Sequence, residues 1–288
     1  TKGRALAIGA HGAAPVGENR VATPDSAAGL LDAIEAAVRD AAGDAHSAIG
    51  AVCIGVPGLV DDRGVMRFGA NLPGIVEQPL RDIFGERFGV PVLIDNDANV
   101  AAWGERVAGA GEGSTNMLMV TLGTGVGGGI VLNGELYRGA HGMAGEIGHF
   151  VVQLDGDPCA CGQRGCWERY ASGTALNRIA RAAGFDDSVE VVAAARRNDE
   201  AAREVIDTFT RWVAIGLAGF ANALDPERIV MGGGLIEVGD LLLDPIRAHF
   251  RRLIEGGDHR PEVPIIPATL GERAGAIGAA LLARTISE

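Results

Sequence analysis

Three of the four cysteines fall within eight residues, Cys159-Ala160-Cys161-Gly162-Gln163-Arg164-Gly165-Cys166, and His149 stands ten residues upstream of the first. Three thiols and an imidazole make a closed tetrahedral set for zinc, and a site with four protein ligands leaves no open position for catalysis. Gly162 and Gly165 let the loop turn back so that Cys166 reaches the same ion as the tight Cys-x-Cys hook. In a 288-residue acidic chain without a signal-peptide pattern, this points to a metal site in a reducing compartment rather than to disulfides. The predicted ligands are His149, Cys159, Cys161 and Cys166, with His149 entering from the end of a strand. Three idle cysteines beside an unrelated histidine is the competing reading.

Around this loop the pattern is α/β. Residues 3–10 and 17–22 read as strands joined by a turn at His11-Gly12. Leu30, Leu31, Ile34, Val38 and Ala41 recur at helical spacing over 26–42. Strands are predicted over 48–56 and 90–95, and a helix over 97–107. A second lobe begins near Gly109, with a strand over 116–122 running into Gly123-Thr124-Gly125-Val126-Gly127-Gly128-Gly129. The strand 130–132 then meets Asn133-Gly134, a strong hairpin signal. Helices are predicted over 172–183, 187–196, 199–223 and 273–285, and a strand over 227–231 ending in Gly232-Gly233-Gly234. Strands alternating with helices argue for an α/β architecture. Gly123-Thr124 and Thr1 each precede a strand and a turn at nearly the same spacing, which suggests a duplicated phosphate-gripping unit.

The residues that carry chemistry fall into three groups. The turns at 123–129 and 232–234 follow apolar strands and offer backbone N–H groups to an anion; neither is a P-loop, and either is also a plain tight turn. Asn96-Asp97 ends a strand and begins a helix. There Asp97 is either the helix N-cap or a carboxylate placed to take a proton from a hydroxyl, with Asn96 bonding that substrate. Glu146 and Glu168 flank the cysteine loop and suit recognition of neighbouring sugar hydroxyls; each is also readable as a solvated surface charge. The formal net charge of −12 argues against nucleic acid or an anionic membrane as the main partner, and no run approaches the ~18 apolar residues that span a bilayer.

Leu122–Gly129, Ile94-Asp95-Asn96-Asp97-Ala98-Asn99, Ala144-Gly145-Glu146-Ile147-Gly148-His149 and Cys159–Glu168 together resemble the ROK family of sugar kinases and repressors, most closely its glucokinases, in order over nearly the whole chain. The resemblance implies a two-lobed actin-like, hexokinase-like (ribonuclease H-like) ATPase fold with a duplicated βββαβα core. The smaller lobe is expected at 1–108 plus 276–288 and the larger at 109–275. It implies ATP with Mg²⁺, a structural Zn²⁺, and phosphoryl transfer to the 6-hydroxyl of an aldohexose, glucose first, in a cytoplasmic homodimer or homotetramer. By matching position, Asp97 resembles the general base. Gly58, Asn71, Asn96, Glu146, His149 and Glu168 resemble the sugar contacts, and Lys2, Thr124, Gly125, Gly233 and Gly234 the nucleotide contacts. The family's Asp-x-Gly-Gly-Thr-Lys motif is met here only by Thr1-Lys2, so its first part is expected before Thr1. A sugar-responsive repressor of the same family, or a kinase for N-acetylmannosamine or another hexose, is the alternative.

Overall fold

The computed structural model describes residues 2–9, 14–24, 26–69 and 75–287. Asn71, the His11-Gly12 turn and the Lys2 side chain therefore lie outside the described residues. The chain opens with an antiparallel pair, β1 (Lys2–Ile8) and β2 (Pro15–Ala22). Helix α1 (Ala27–Ala42) follows, capped by Ser26, whose hydroxyl accepts from the Gly29 N–H at 3.2 Å. Residues Gly43–Ala48 form a 3₁₀ turn, so the strand expected from 48 begins only at Val52. Strand β3 (Val52–Val56), the short pair β4 (Leu59–Val60) and β5 (Met66–Phe68), helix α2 (Leu80–Phe88), strand β6 (Val92–Asn96) and helix α3 (Asp97–Ala108) complete this stretch. β3 and β6 run parallel, with Val56 opposite Asn96.

Strand β7 (Met117–Leu122) then leads through a turn into β8 (Val126–Leu132) and β9 (Glu135–Leu136). Asn133 and Gly134 both take positive φ, 55° and 82°, as the two-residue hairpin requires. Gly127–Gly129 are strand residues of β8, not part of the turn. At Gly129 the reason is steric, since a Cβ there would meet the Ala98 carbonyl oxygen and the Ala102 side chain of α3. Helices α4 (Glu168–Ala171), α5 (Gly173–Ala182), α6 (Ser188–Arg196) and α7 (Glu200–Leu224) precede β10 (Arg228–Gly232). Helix α8 (Asp240–Leu253), strand β11 (Ile265–Pro267) and helix α9 (Ala274–Arg284) follow. β10 is parallel to β7 on one side and to β11 on the other.

The chain divides into two compact units: Thr1–Gly113 with Gly129–Gly145 and Thr269–Glu288, and Ser114–Gly128 with Glu146–Ala268. In the first, Val52, Ile54, Val56, Met66, Phe84 and Ile94 form a core against which Leu30, Leu31, Ile34 and Val38 of α1 pack. In the second, Leu118, Val120, Val213, Leu217, Ile229 and Leu242 are buried. Among the described residues, no helix is long and apolar enough to cross a membrane.

Helix α3 of the first unit is held along its length. Glycines let it approach α9, because a Cβ at Gly104 would meet the Ala274 carbonyl oxygen and one at Gly278 would collide with that of Val100. Near its C-terminal end Glu105 is fully buried. Its carboxyl oxygens accept from the N–H groups of Ala110 (2.8 Å), Thr269 (3.1 Å) and Leu270 (2.8 Å). Glu105→Ala strands these donors, so it is expected to cost about 3–5 kcal/mol of stability. A urea midpoint within error of wild type would remove Glu105 from this role.

Candidate active site and metal centre

Strands β3 and β6 end side by side in the first unit, and the candidate proton acceptor stands there. The N-cap of α3 is Asn96, whose Oδ1 accepts from Ala98 N–H (2.8 Å) and Asn99 N–H (3.3 Å). Its Nδ2 donates to the Gly58 carbonyl at 3.1 Å. Gly58 is at φ 126°, and a Cβ there would collide with the Phe68 carbonyl, so the turn requires glycine. Capping by Asn96 settles the local choice left open by the sequence: Asp97 is not the cap. Asp97 is the first residue of α3 and exposed, with Oδ1 accepting from Ala98 N–H at 2.9 Å. Protein crowded around its base raises its pKa by desolvation, offset in part by the Ala98 N–H and its own. The carboxylate is thus reachable from solvent and more basic than an ordinary aspartate.

Sequence reasoning missed what holds this strand end. Asp95, 3% exposed, accepts from the Asn96 N–H (2.8 Å) and Asn99 Nδ2 (2.9 Å) through Oδ1 and from Arg138 Nε (2.8 Å) through Oδ2. The available signal was a carboxylate closing the apolar run Val92-Leu93-Ile94; nothing in the sequence pointed to Arg138.

In the second unit both glycine turns sit at the carboxyl ends of adjacent parallel strands, where ligands of open α/β sheets bind. Gly232 of β10 lies opposite Thr121 of β7. Gly233, at φ 85°, packs so closely on Leu122 that a Cβ would strike its backbone. Thr124, Gly233 and Gly234 are exposed. The structure thus gathers Thr124, Gly125, Gly233 and Gly234 at the carboxyl ends of two adjacent strands.

The cysteine loop lies in the same unit. The ligand atoms of His149, Cys159, Cys161 and Cys166 all lie within 4.8 Å of one another. Cys159 Sγ is 3.6 Å from His149 Nδ1, and Cys161 Sγ is 3.6 Å from Cys166 Sγ. A tetrahedron with metal–sulfur bonds of about 2.3 Å and a metal–nitrogen bond of about 2.0 Å has edges of about 3.5–3.8 Å, so the four atoms suit one small cation. Burial pushes the Cys166 thiol up to about 12 and also raises Cys159. At Cys161 burial raises the pKa too, but bonds from Gln163 N–H and the neighbouring thiols outweigh it. His149 ends a 3₁₀ turn (Ile147–His149), not the strand expected from the sequence, and its Nε2 lies 3.9 Å from Glu146 Oε2. Gly162 and Gly165 take positive φ, 90° and 76°, as the loop demands. The loop is anchored by Trp167, fully buried against Gly216 of α7 with Nε1 donating to the Trp212 carbonyl at 2.8 Å. Glu168 follows, with Oε1 3.4 Å from Cys159 Sγ.

The candidate residues thus form two groups: Gly58, Asn96 and Asp97 in the first unit, and Glu146, His149 and Glu168 with the glycine turns in the second. The ROK family model matches residues 1–286. The chain belongs to the ROK family. This ROK chain is 41% identical over 286 residues to a glucokinase of Streptomyces coelicolor, covering 92% of this chain and 89% of that protein. The crystal structure of a ROK family glucokinase from Streptomyces griseus, in complex with glucose and AMPPNP, superposes with a TM-score of 0.85 at 39% identity, covering 99% and 100% of the two chains. A xylose repressor of Bacillus spizizenii is 33% identical over 242 residues, 81% of this chain and 61% of that protein. The fold of the ROK chain is accordingly the hexokinase-like, actin-like ATPase architecture.

Proposed function

We infer that this ROK chain is an ATP-dependent glucokinase that transfers the γ-phosphoryl group of ATP to the 6-hydroxyl of glucose. The observation that carries the reading is Asp97: Asn96 caps the helix, which leaves the Asp97 carboxylate exposed and more basic than usual. Asp97 takes the hydroxyl proton as the oxygen bonds to the γ-phosphorus and the bond to the departing ADP oxygen breaks. The transition state of such transfers is loose, so positioning and charge neutralisation supply most of the catalysis. The turns at Thr124-Gly125 and Gly233-Gly234 would offer N–H groups to the nucleotide, and Mg²⁺, taking few protein ligands, would supply neutralisation of phosphate charge. Gly58, Asn96, Glu146, His149 and Glu168 contact the sugar in this reading; by motif alone, Asn71 joins the sugar contacts and Lys2 the nucleotide contacts.

Zinc is the cation that fits three thiolates and an imidazole. His149 would bind it through Nδ1, leaving Nε2 beside Glu146 for the sugar. The ion supplies rigidity, not chemistry. A cytoplasmic homodimer or homotetramer belongs to the same reading and rests on family membership.

The repressor match favours a second reading, a sugar-responsive regulator. A coupled assay decides, with glucose, N-acetylmannosamine, N-acetylglucosamine, fructose and allose offered against ATP and inorganic polyphosphate. Glucose with ATP is expected to give the highest kcat/KM. Sugar binding without turnover on any pair would overturn the kinase reading.

A further inference from the structure

The turn after β7 is gripped from one side by the segment that leaves the cysteine loop. Gly173 N–H donates to the Gly123 carbonyl at 2.8 Å, and the Thr174 hydroxyl donates to the Thr124 carbonyl at 2.8 Å. Glu168 reaches the same turn: its Oε2 lies 3.4 Å from the Val126 nitrogen, and a Cβ at Gly125 would stand 2.5 Å from that oxygen. The end of the Glu168 side chain thus lies directly against Gly125. The other Glu168 oxygen touches Cys159, one of the four candidate ligands. From Cys166 the path is short: Trp167 is locked into α7, α4 begins at Glu168, and Ser172 caps α5, whose first residues are Gly173 and Thr174. All of these residues lie in one compact unit.

We propose that the metal loop sets the nucleotide turn as well as the sugar contacts, with Thr174 as a positioning residue for ATP that acts through the Thr124 carbonyl. The inference rests on the reading of 123–126 as a nucleotide turn. A loop that loses its ion loosens Glu168 and the start of α5, and the turn loses the bonds that fix its N–H groups.

The test is calorimetric titration with Mg-AMPPNP in the absence of sugar, which keeps the sugar site out of the measurement. Removing zinc from the wild-type protein is expected to weaken AMPPNP about tenfold. Thr174→Val, which deletes one exposed hydroxyl bond, is expected to weaken it about fivefold, and Thr174→Ser to restore it. Zinc content, melting temperature and glucose affinity should stay at wild-type values in both variants. Thr174→Val binding AMPPNP as wild type does, or a folded zinc-free protein doing so, overturns the proposal. Should chelation unfold the chain, the Thr174 pair decides. Failure of the zinc-loaded wild-type protein to bind AMPPNP at all is a separate outcome, which removes the nucleotide reading and this proposal with it.

Discussion

Asp97→Asn is expected to lower kcat by about 10²–10⁴-fold, the usual contribution of a positioned general base, while glucose affinity stays near wild type. Asparagine keeps an oxygen for the Ala98 N–H that Asp97 now serves, so the local fold is preserved. The same substitution carries a stability signature with a definite sign. Desolvation raises the Asp97 pKa in the folded chain above its unfolded value. Any stability tied to its protonated form is complete below the ordinary carboxylate range of about 4 and is lost as pH rises through the raised folded value. At pH 7 the variant should therefore melt at or above the wild-type temperature, and the difference should vanish in acid. The wild-type rate should in turn decline as pH falls through the raised pKa, because the base is then protonated. Near-normal turnover in Asp97→Asn would remove it from the base role, and a lower melting temperature at pH 7 would contradict the desolvation argument.

Cys161→Ala is expected to abolish glucose binding and phosphorylation together. It opens the tetrahedron formed by His149, Cys159, Cys161 and Cys166, so bound zinc should fall well below one ion per chain. The loop is otherwise secured by Trp167 and the Cys159–Gln163 backbone bond, so the loss of stability should be partial, with melting lowered by about 10 °C. Zinc analysis and glucose titration check the two effects separately. A zinc-free protein that still binds glucose normally would reduce the loop to a staple.

The cluster of three cysteines and a histidine was legible because its residue types stand at close spacing, and the strands and long helices because their apolar periods are strong. Helix α8 was not foreseen although Leu242, Leu243, Ile246 and Phe250 are buried at helical spacing. Pro245 inside the pattern masks it, since proline usually marks a boundary. Gly127–Gly129 were read as turn because three glycines suggest a loop, whereas close packing of α3 on β8 was the reason at Gly129. Asp97 could not be assigned from the sequence, because a carboxylate at a strand–helix junction is as good a cap as a base. The structure gives the cap to Asn96, which removes that one reading of Asp97. The Asp95–Arg138 pair and the bonds of Glu105 to the Thr269 and Leu270 amides were missed for one reason: these partners lie far apart along the chain, and single-sequence patterns carry no long-range pairing.

Helix α9 packs on α3, β3 and β1 of the first unit, and Glu105 waits for the amides of Thr269 and Leu270. A ribosome makes all of these partners before it makes residues 269–287, and completes the second unit's residues in between. The unit that is begun first must therefore be finished last. Until then Gly104 of α3 lacks its α9 partner and the Glu105 carboxyl lacks the Thr269 and Leu270 amides, so the helix that presents Asp97 matures only near the end of synthesis, after the cysteine loop has had time to form.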